Sequence, residues 1–164
     1  MIYGVTGHRD AGQKPGELED FARLIVARMI QTGCTEIITG MAWGWDLAVA
    51  EACAEIDLPF IAALPFPGQQ ARWAEADVKR FPRMLEKAHK VWYGGKLRLN
   101  ENYHKRDRLI VQSSAQLWAL DSGRRSGSHT TVLFAEEIGC RVIPLWDRWR
   151  SYQQERNPQY EIAW

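Results

Sequence analysis

Four things are scarce or missing in this sequence, and each absence narrows the function. There is no G-x-G-x-x-G after the first apolar run: Gly4 and Gly7 are misplaced for it, and no acidic residue follows at the ribose position. A conventional hydride-transfer site is therefore not expected. Cysteine is sparse. Cys34, Cys53 and Cys140 are odd in number, far apart and set in apolar surroundings, which fits reduced thiols and leaves no metal site to expect. Charge of one sign is lacking too: 21 Lys plus Arg face 20 Asp plus Glu, a net charge of +1. No global cationic field exists to drive non-specific nucleic-acid binding, though a local basic patch can. Finally, no long apolar run and no basic leader occur, so the expectation is a soluble, cytoplasmic protein with no membrane partner.

What is present is a chain of 164 residues, 46% hydrophobic and 25% charged, large enough for one core without staples. Short, unalternating apolar runs mark strands at 2–6, 36–39, 60–64, 90–93, 116–120 and 141–145, the pattern of strands covered on both faces. Helical spacing lies between them. Leu18, Phe21, Ala22, Ile25 and Met29 share one face, with Pro15 before and Gly33 after. The Ala-rich segment 47–56 follows Asp46, a candidate N-cap. Further helices are expected over 70–88 with a break or kink at Phe81-Pro82, over 102–113, and over 129–138 ending at Gly139. End-to-end strand–helix alternation predicts an α/β fold, a Rossmann-like, doubly wound, mainly parallel sheet with helices on both faces of a single domain. Residues 1–146 form that domain in this reading, and 147–164 a C-terminal tail. The tail carries Pro158, and with Trp146, Trp149 and Trp164 it offers apolar surface for docking on the body or for homo-oligomer formation.

Three of the apolar runs end in small-residue loops that open helices: Val5-Thr6-Gly7-His8-Arg9-Asp10, Gly40-Met41-Ala42-Trp43-Gly44-Trp45-Asp46, and Ser126-Gly127-Ser128-His129-Thr130-Thr131. Glycine permits close backbone approach to a ligand, and a helix N-terminus presents free N–H groups suited to phosphate. If the runs are parallel strands, the loops converge beyond their C-terminal ends, where open α/β sheets bind ligands. Thr6-Gly7-His8-Arg9 adds a guanidinium fork able to clamp phosphate or carboxylate.

At these residues the chain resembles the SLOG superfamily, the Rossmann-like group named for the Smf (DNA processing protein A) and Lonely Guy proteins, and most closely its YpsA-like branch. The resemblance covers nearly the whole body. It runs through the three loops, through Leu64-Pro65-Phe66-Pro67 with Gln69 or Gln70 and Trp73, through Arg106-Asp107-Arg108-Leu109-Ile110-Val111, and through Val132 to Phe134-Ala135. The order and placement of the pieces carry it, since no one loop is specific alone. It implies a nucleotide or nucleotide-derived ligand such as ADP-ribose, NAD or a nucleoside monophosphate across the strand ends. Gly7, His8 and Arg9 would then face phosphate or ribose. Gly40, Ala42 and Gly44 would line the second loop, and Asp46 would hold ribose hydroxyls. Gly127, Ser128, His129, Thr130 and Thr131 would cradle phosphate, with Arg106 adding charge. Lonely Guy hydrolases carry a glutamate three residues beyond their glycine loop, where this chain has Leu133.

Several residues keep two readings. Asp46 caps a helix, contacts ligand, or does both. His8 and His129 are acid–base groups or loop hydrogen-bonders, with no carboxylate partner visible in the sequence. Trp43 and Trp45 stack a ring or pack the core. The basic run Lys96, Arg98, His104, Lys105, Arg106 and Arg108, extended by Arg124 and Arg125, is a binding strip or a solvated face diluted by Glu101 and Asp107. The functional expectation is a nucleotide binder acting as sensor, sequestering protein or weak N-glycosidase, with Asp46 and Asp10 the loop carboxylates available for catalysis. The alternatives are a single-stranded DNA binder resembling DNA processing protein A and a Lonely Guy-like phosphoribohydrolase.

Overall fold

The computed structural model describes residues 1–156. Six strands, β1 (Ile2–Gly7), β2 (Glu36–Thr39), β3 (Phe60–Leu64), β4 (Lys90–Tyr93), β5 (Gln116–Leu120) and β6 (Arg141–Pro144), form one sheet in the order β4-β3-β2-β1-β5-β6. Every pairing is parallel. Successive strands march outward from β1 to β4, and the chain then returns to place β5 on the other side of β1. That reversal puts a crevice beyond the C-terminal ends of β1 and β5, the switch point at which doubly wound sheets take ligands.

The expected strands form, with ends shifted by at most one residue; the four inner ones bury their side chains on both sheet faces, while the edge strands β4 and β6 stay largely exposed. One layer packs α1 (Glu17–Gln31) and α2 (Trp45–Glu55) on the sheet, with Phe81 and Met84 from α3 (Glu75–Glu86) joining the same core. The other layer holds α4 (Asn100–Gln112) and α5 (Gly127–Glu137), whose Ile110, Val111, Val132 and Ala135 cover Ile38, Ala63, Leu117 and Ala119. In α2, eight of eleven residues are buried, and its alanines let the helix lie close to the strands. Cys34 and Cys53 are buried free thiols, while Cys140 is only half-buried. No described helix is long and apolar enough to cross a membrane.

Two local expectations need correction. Of the break or kink expected at Phe81-Pro82, the break falls earlier: a 3-10 turn over Gln69–Arg72 ends at Trp73, and Pro82 sits inside α3. Trp73 closes edge-on against Phe81 at 5.4 Å, so an aromatic contact holds this corner while the proline is carried within the helix. Asp46 does not cap α2. The helix starts two residues sooner, with Gly44 at the N-cap, leaving Asp46 buried in the first turn.

For the tail, the sequence leaves docking on the body and docking on another subunit both open. Residues 146–156 form α6 (Trp146–Arg156), and Trp149 is fully buried against Phe21, its indole N–H donating to the Ala11 carbonyl at 2.9 Å. Gln153 donates to the Gly12 carbonyl one turn further on, at 3.0 Å. Trp149 thus docks on the body; Pro158 and Trp164 lie outside the described residues.

Candidate functional site

The end of β1 and the start of α2 touch directly. A Cβ on Gly7 would come within 2.4 Å of the Trp45 ring, and one on Gly44, held at φ 87°, within 2.3 Å of the Arg9 carbonyl. These two glycines therefore do packing work that brings both loops to one place. Beside them the β2 loop is locked by several bonds. Gln69 Nε2 donates to the carbonyls of Gly40 and Met41, Arg106 Nη1 donates to Gly40 at 2.8 Å, and Thr39 Oγ1 accepts from the Met41 N–H at 3.2 Å. Met41, fully buried, is held at φ 59°, a left-handed conformation that persists only where neighbours over-determine it.

A cavity of about 640 Å³ opens at the switch point. Arg9, Ala42, Asp46 and Arg106 line it together with His8, Gly127, Ser128, Thr130 and Thr131, and His8 bonds to Ser128. Tyr103, His104 and Asp107 of α4 close the mouth, and Arg124 reaches over it to donate to the Asp10 carbonyl. Of the residues expected at the site, Gly7, Gly40, Gly44 and His129 stand behind this wall and support it.

The β5–α5 wall is a closed hydrogen-bond network centred on His8, which is buried. The Ser122 N–H donates to Nε2 at 2.8 Å, which makes that nitrogen an acceptor. The ring proton then sits on Nδ1 and points to Ser128 Oγ at 3.0 Å. Burial, and next the Arg124 charge, lower the His8 pKa below its ordinary value, in keeping with this neutral tautomer. The chemical consequence is definite. With Nδ1 protonated, His8 cannot accept the Ser128 proton, so the pair is not an activated serine nucleophile. Ser126 caps α5 by accepting from the His129 N–H at 3.1 Å, and His129 Nδ1 meets Asp121 Oδ2 at 2.8 Å.

Asp121 and Ser122 were missed as site residues. The available signal was a polar pair directly after the strand expected at 116–120, but only the sheet order shows that its loop faces His8.

The α2 side has an open valence. Asp46 is buried on the cavity floor, its Oδ1 meets no hydrogen-bond donor, and it forms no ion pair among the described residues. Burial is the main cause that pushes its pKa up to about 7, opposed by Arg106 and the Ala42 N–H and assisted by Asp107. Arg106, itself buried, is spoken for by the Gly40 carbonyl and by Asp107 Oδ1 at 2.6 Å. Arg9 is exposed at the rim. Leu133 faces away, half-exposed on a separate groove of about 250 Å³ between α4 and α5. Among the described residues no group of His, Cys, Asp or Glu is arranged to hold a metal ion.

Residues 1–159 match the family profile described as DNA recombination-mediator protein A. Among solved structures, the chain superposes on DNA processing protein A from Streptococcus pneumoniae with a TM-score of 0.66 and 20% identity, covering 87% of this chain and 49% of that one. The Helicobacter pylori protein, described with a unique single-stranded DNA binding mode, gives a TM-score of 0.65 at 15% identity over 88% of this chain and 64% of that one. The molybdenum cofactor carrier protein of Chlamydomonas reinhardtii gives 0.60 at 17% identity over 96% and 86%. The chain thus spans about half the length of the pneumococcal protein and under two thirds of the Helicobacter one. At these identities the likeness establishes a shared fold. No curated protein sequence matches this chain.

Proposed function

The chain belongs to the DNA recombination-mediator protein A family, and from that premise we propose that it binds a nucleotide-derived small molecule (ADP-ribose, NAD or a nucleoside monophosphate) across its switch point. One observation carries the reading: Asp46 is buried with its Oδ1 meeting no donor, and it lines the same cavity as the first turn of α5. A buried acceptor left unsatisfied costs roughly 1–3 kcal/mol, a cost removed when a ligand hydroxyl donates to it. The N–H groups of Gly127 and Ser128 open α5 and suit a phosphate, while Arg9 at the rim supplies charge. Ribose with a phosphate has this polarity. In the wider SLOG superfamily, the residues of the three loops support a likeness to the YpsA-like branch.

Thermal-shift and calorimetric titration with ADP-ribose, NAD and AMP tests the proposal. A ligand at 100 times its Kd adds about 2.7 kcal/mol of stability, so no change in melting temperature at millimolar concentration of all three rejects it.

A second reading, binding of single-stranded DNA, draws on the family and on the exposed Lys105 and Arg108 of α4, which share a groove with His104 and with Glu101, the ion-pair partner of Lys105. It requires affinity that falls steeply with salt, because each phosphate contact releases counterions. A Lonely Guy-like phosphoribohydrolase has less support, since Leu133 does not line the cavity and the buried carboxylate there is Asp46.

A further inference from the structure

A second chamber, of about 370 Å³, adjoins the first. The two share Arg9 and Tyr103, so the passage between them is framed by a guanidinium and a phenol ring. The walls of the second chamber differ in kind from those of the first. Trp43 and Trp73 present indole rings, both half-buried, and Gln69 forms part of the lining. Gln69 is 1% exposed, and its orientation is fixed because Nε2 donates to two carbonyls; turning the amide over would set oxygen against oxygen. Its Oε1 is left buried without a donor. Such a chamber has flat apolar faces and one acceptor in need of an N–H. Arg72 and Arg98 stand at its rim, opposed by Asp77.

We infer that this chamber is a ring subsite, taking the nitrogen heterocycle of the ligand whose phosphate and ribose occupy the first cavity. The inference rests on the reading given under Proposed function and adds the class of ligand to it. The heterocycle passes between Arg9 and Tyr103, stacks on the indole of Trp43, and donates from a ring N–H or an exocyclic amine to Gln69 Oε1. A ligand lacking a ring, such as a sugar phosphate, satisfies the first cavity only. Stacking tolerates many rings, whereas the single acceptor favours those with a donor edge.

The experiment compares ribose 5-phosphate with AMP by calorimetry on the full chain, together with tryptophan fluorescence. AMP is expected to bind about tenfold or more tightly than ribose 5-phosphate and to quench fluorescence where the sugar phosphate does not. Trp43→Leu is expected to remove the AMP advantage and leave ribose 5-phosphate affinity unchanged, and Trp43→Phe to restore most of it. Equal affinities for the two probes overturn the ring subsite while leaving the first cavity's role intact, and this comparison depends on no variant folding. Equal losses for both probes in Trp43→Leu also overturn it, because they make Trp43 structural. Absence of binding by either probe overturns the inference and the reading beneath it together.

Discussion

The two walls of the main cavity are built on opposite principles. On the β5–α5 side the polar atoms of the network have found one another: His8 bonds to Ser122 and Ser128, Ser126 caps the helix, and His129 pairs with Asp121. On the α2 side Asp46 is equally buried but has an oxygen with no donor. A satisfied network fixes geometry, whereas an unsatisfied group stores a cost that a partner can remove. On the proposed reading His8 is the scaffold residue and Asp46 the group that meets the ligand, although both follow a glycine in segments that look alike in sequence.

Substituting the scaffold side should give the largest effect. His8→Ala strips the ring from Ser122 and Ser128 and opens a hole beside Trp146, whose ring meets the imidazole edge-on at 5.7 Å. A loss of about 2–4 kcal/mol is expected, read as a lower urea midpoint with an unchanged slope. Stability kept within experimental error would erase the distinction between the walls.

Asp46→Asn should act in the reverse sense. Binding of AMP or ADP-ribose should weaken by about 10- to 100-fold, as expected for a lost charged hydrogen bond. The free protein should become more stable at neutral and higher pH. The direction follows from the proton balance: the folded-state pKa is about 7, against roughly 3.9 for a free aspartate. Between those values the folded protein holds a proton that the unfolded chain releases, so wild-type stability is full below about pH 4, falls as pH rises towards 7, and is flat above. Asp46→Asn lacks this slope, and melting curves from pH 4 to 8 compare the two.

Ligand affinity carries a smaller signature of the same group. The ionised carboxylate is the better acceptor, so AMP affinity should rise with pH up to about 7 and then level off. Calorimetry at pH 5.5 and 8 measures it, and a flat profile would move the sugar elsewhere.

The smallest effect is expected at Leu133. Because that side chain lies on the groove between α4 and α5, Leu133→Glu should neither weaken AMP binding more than about twofold nor create base release detectable by chromatography. Gain of turnover in this variant would bring the α5 face into the site and revive the hydrolase reading.

How much of this was legible in the sequence depends on the range of the interaction. Strand ends are local: a short apolar run bounded by turn residues announces itself, at the exposed edges β4 and β6 as well as in the buried centre, and all six lie within one residue of expectation. The convergence of the three loops follows from parallel topology, which alternation implies. Pairings across the sheet order were not legible. That Ser122 meets His8 from 114 residues away depends on β5 crossing to the far side of β1, whereas Asp121 meets His129 across only eight residues of the β5–α5 connection. Asp46 shows the other limit. Asp before an Ala-rich helix reads as a cap by propensity, but Gly44 takes that place because the chain must pass within contact of Arg9, and only packing reveals it. Pro82 misled for a like reason: tertiary contact of Phe81 and Met84 with the core keeps the helix continuous through a residue that normally interrupts one.

The bonds from Trp149 to Ala11 and from Gln153 to Gly12 fasten the last described helix to the segment that follows Arg9 and Asp10. They make α6 a handle on the rim of the cavity. Force or binding energy applied beyond that helix is delivered first to the loop that would grip a ligand, and by reciprocity a bound ligand stiffens the helix. Hydrogen exchange in α6 is therefore a gauge of cavity occupancy that can be read at a distance from it.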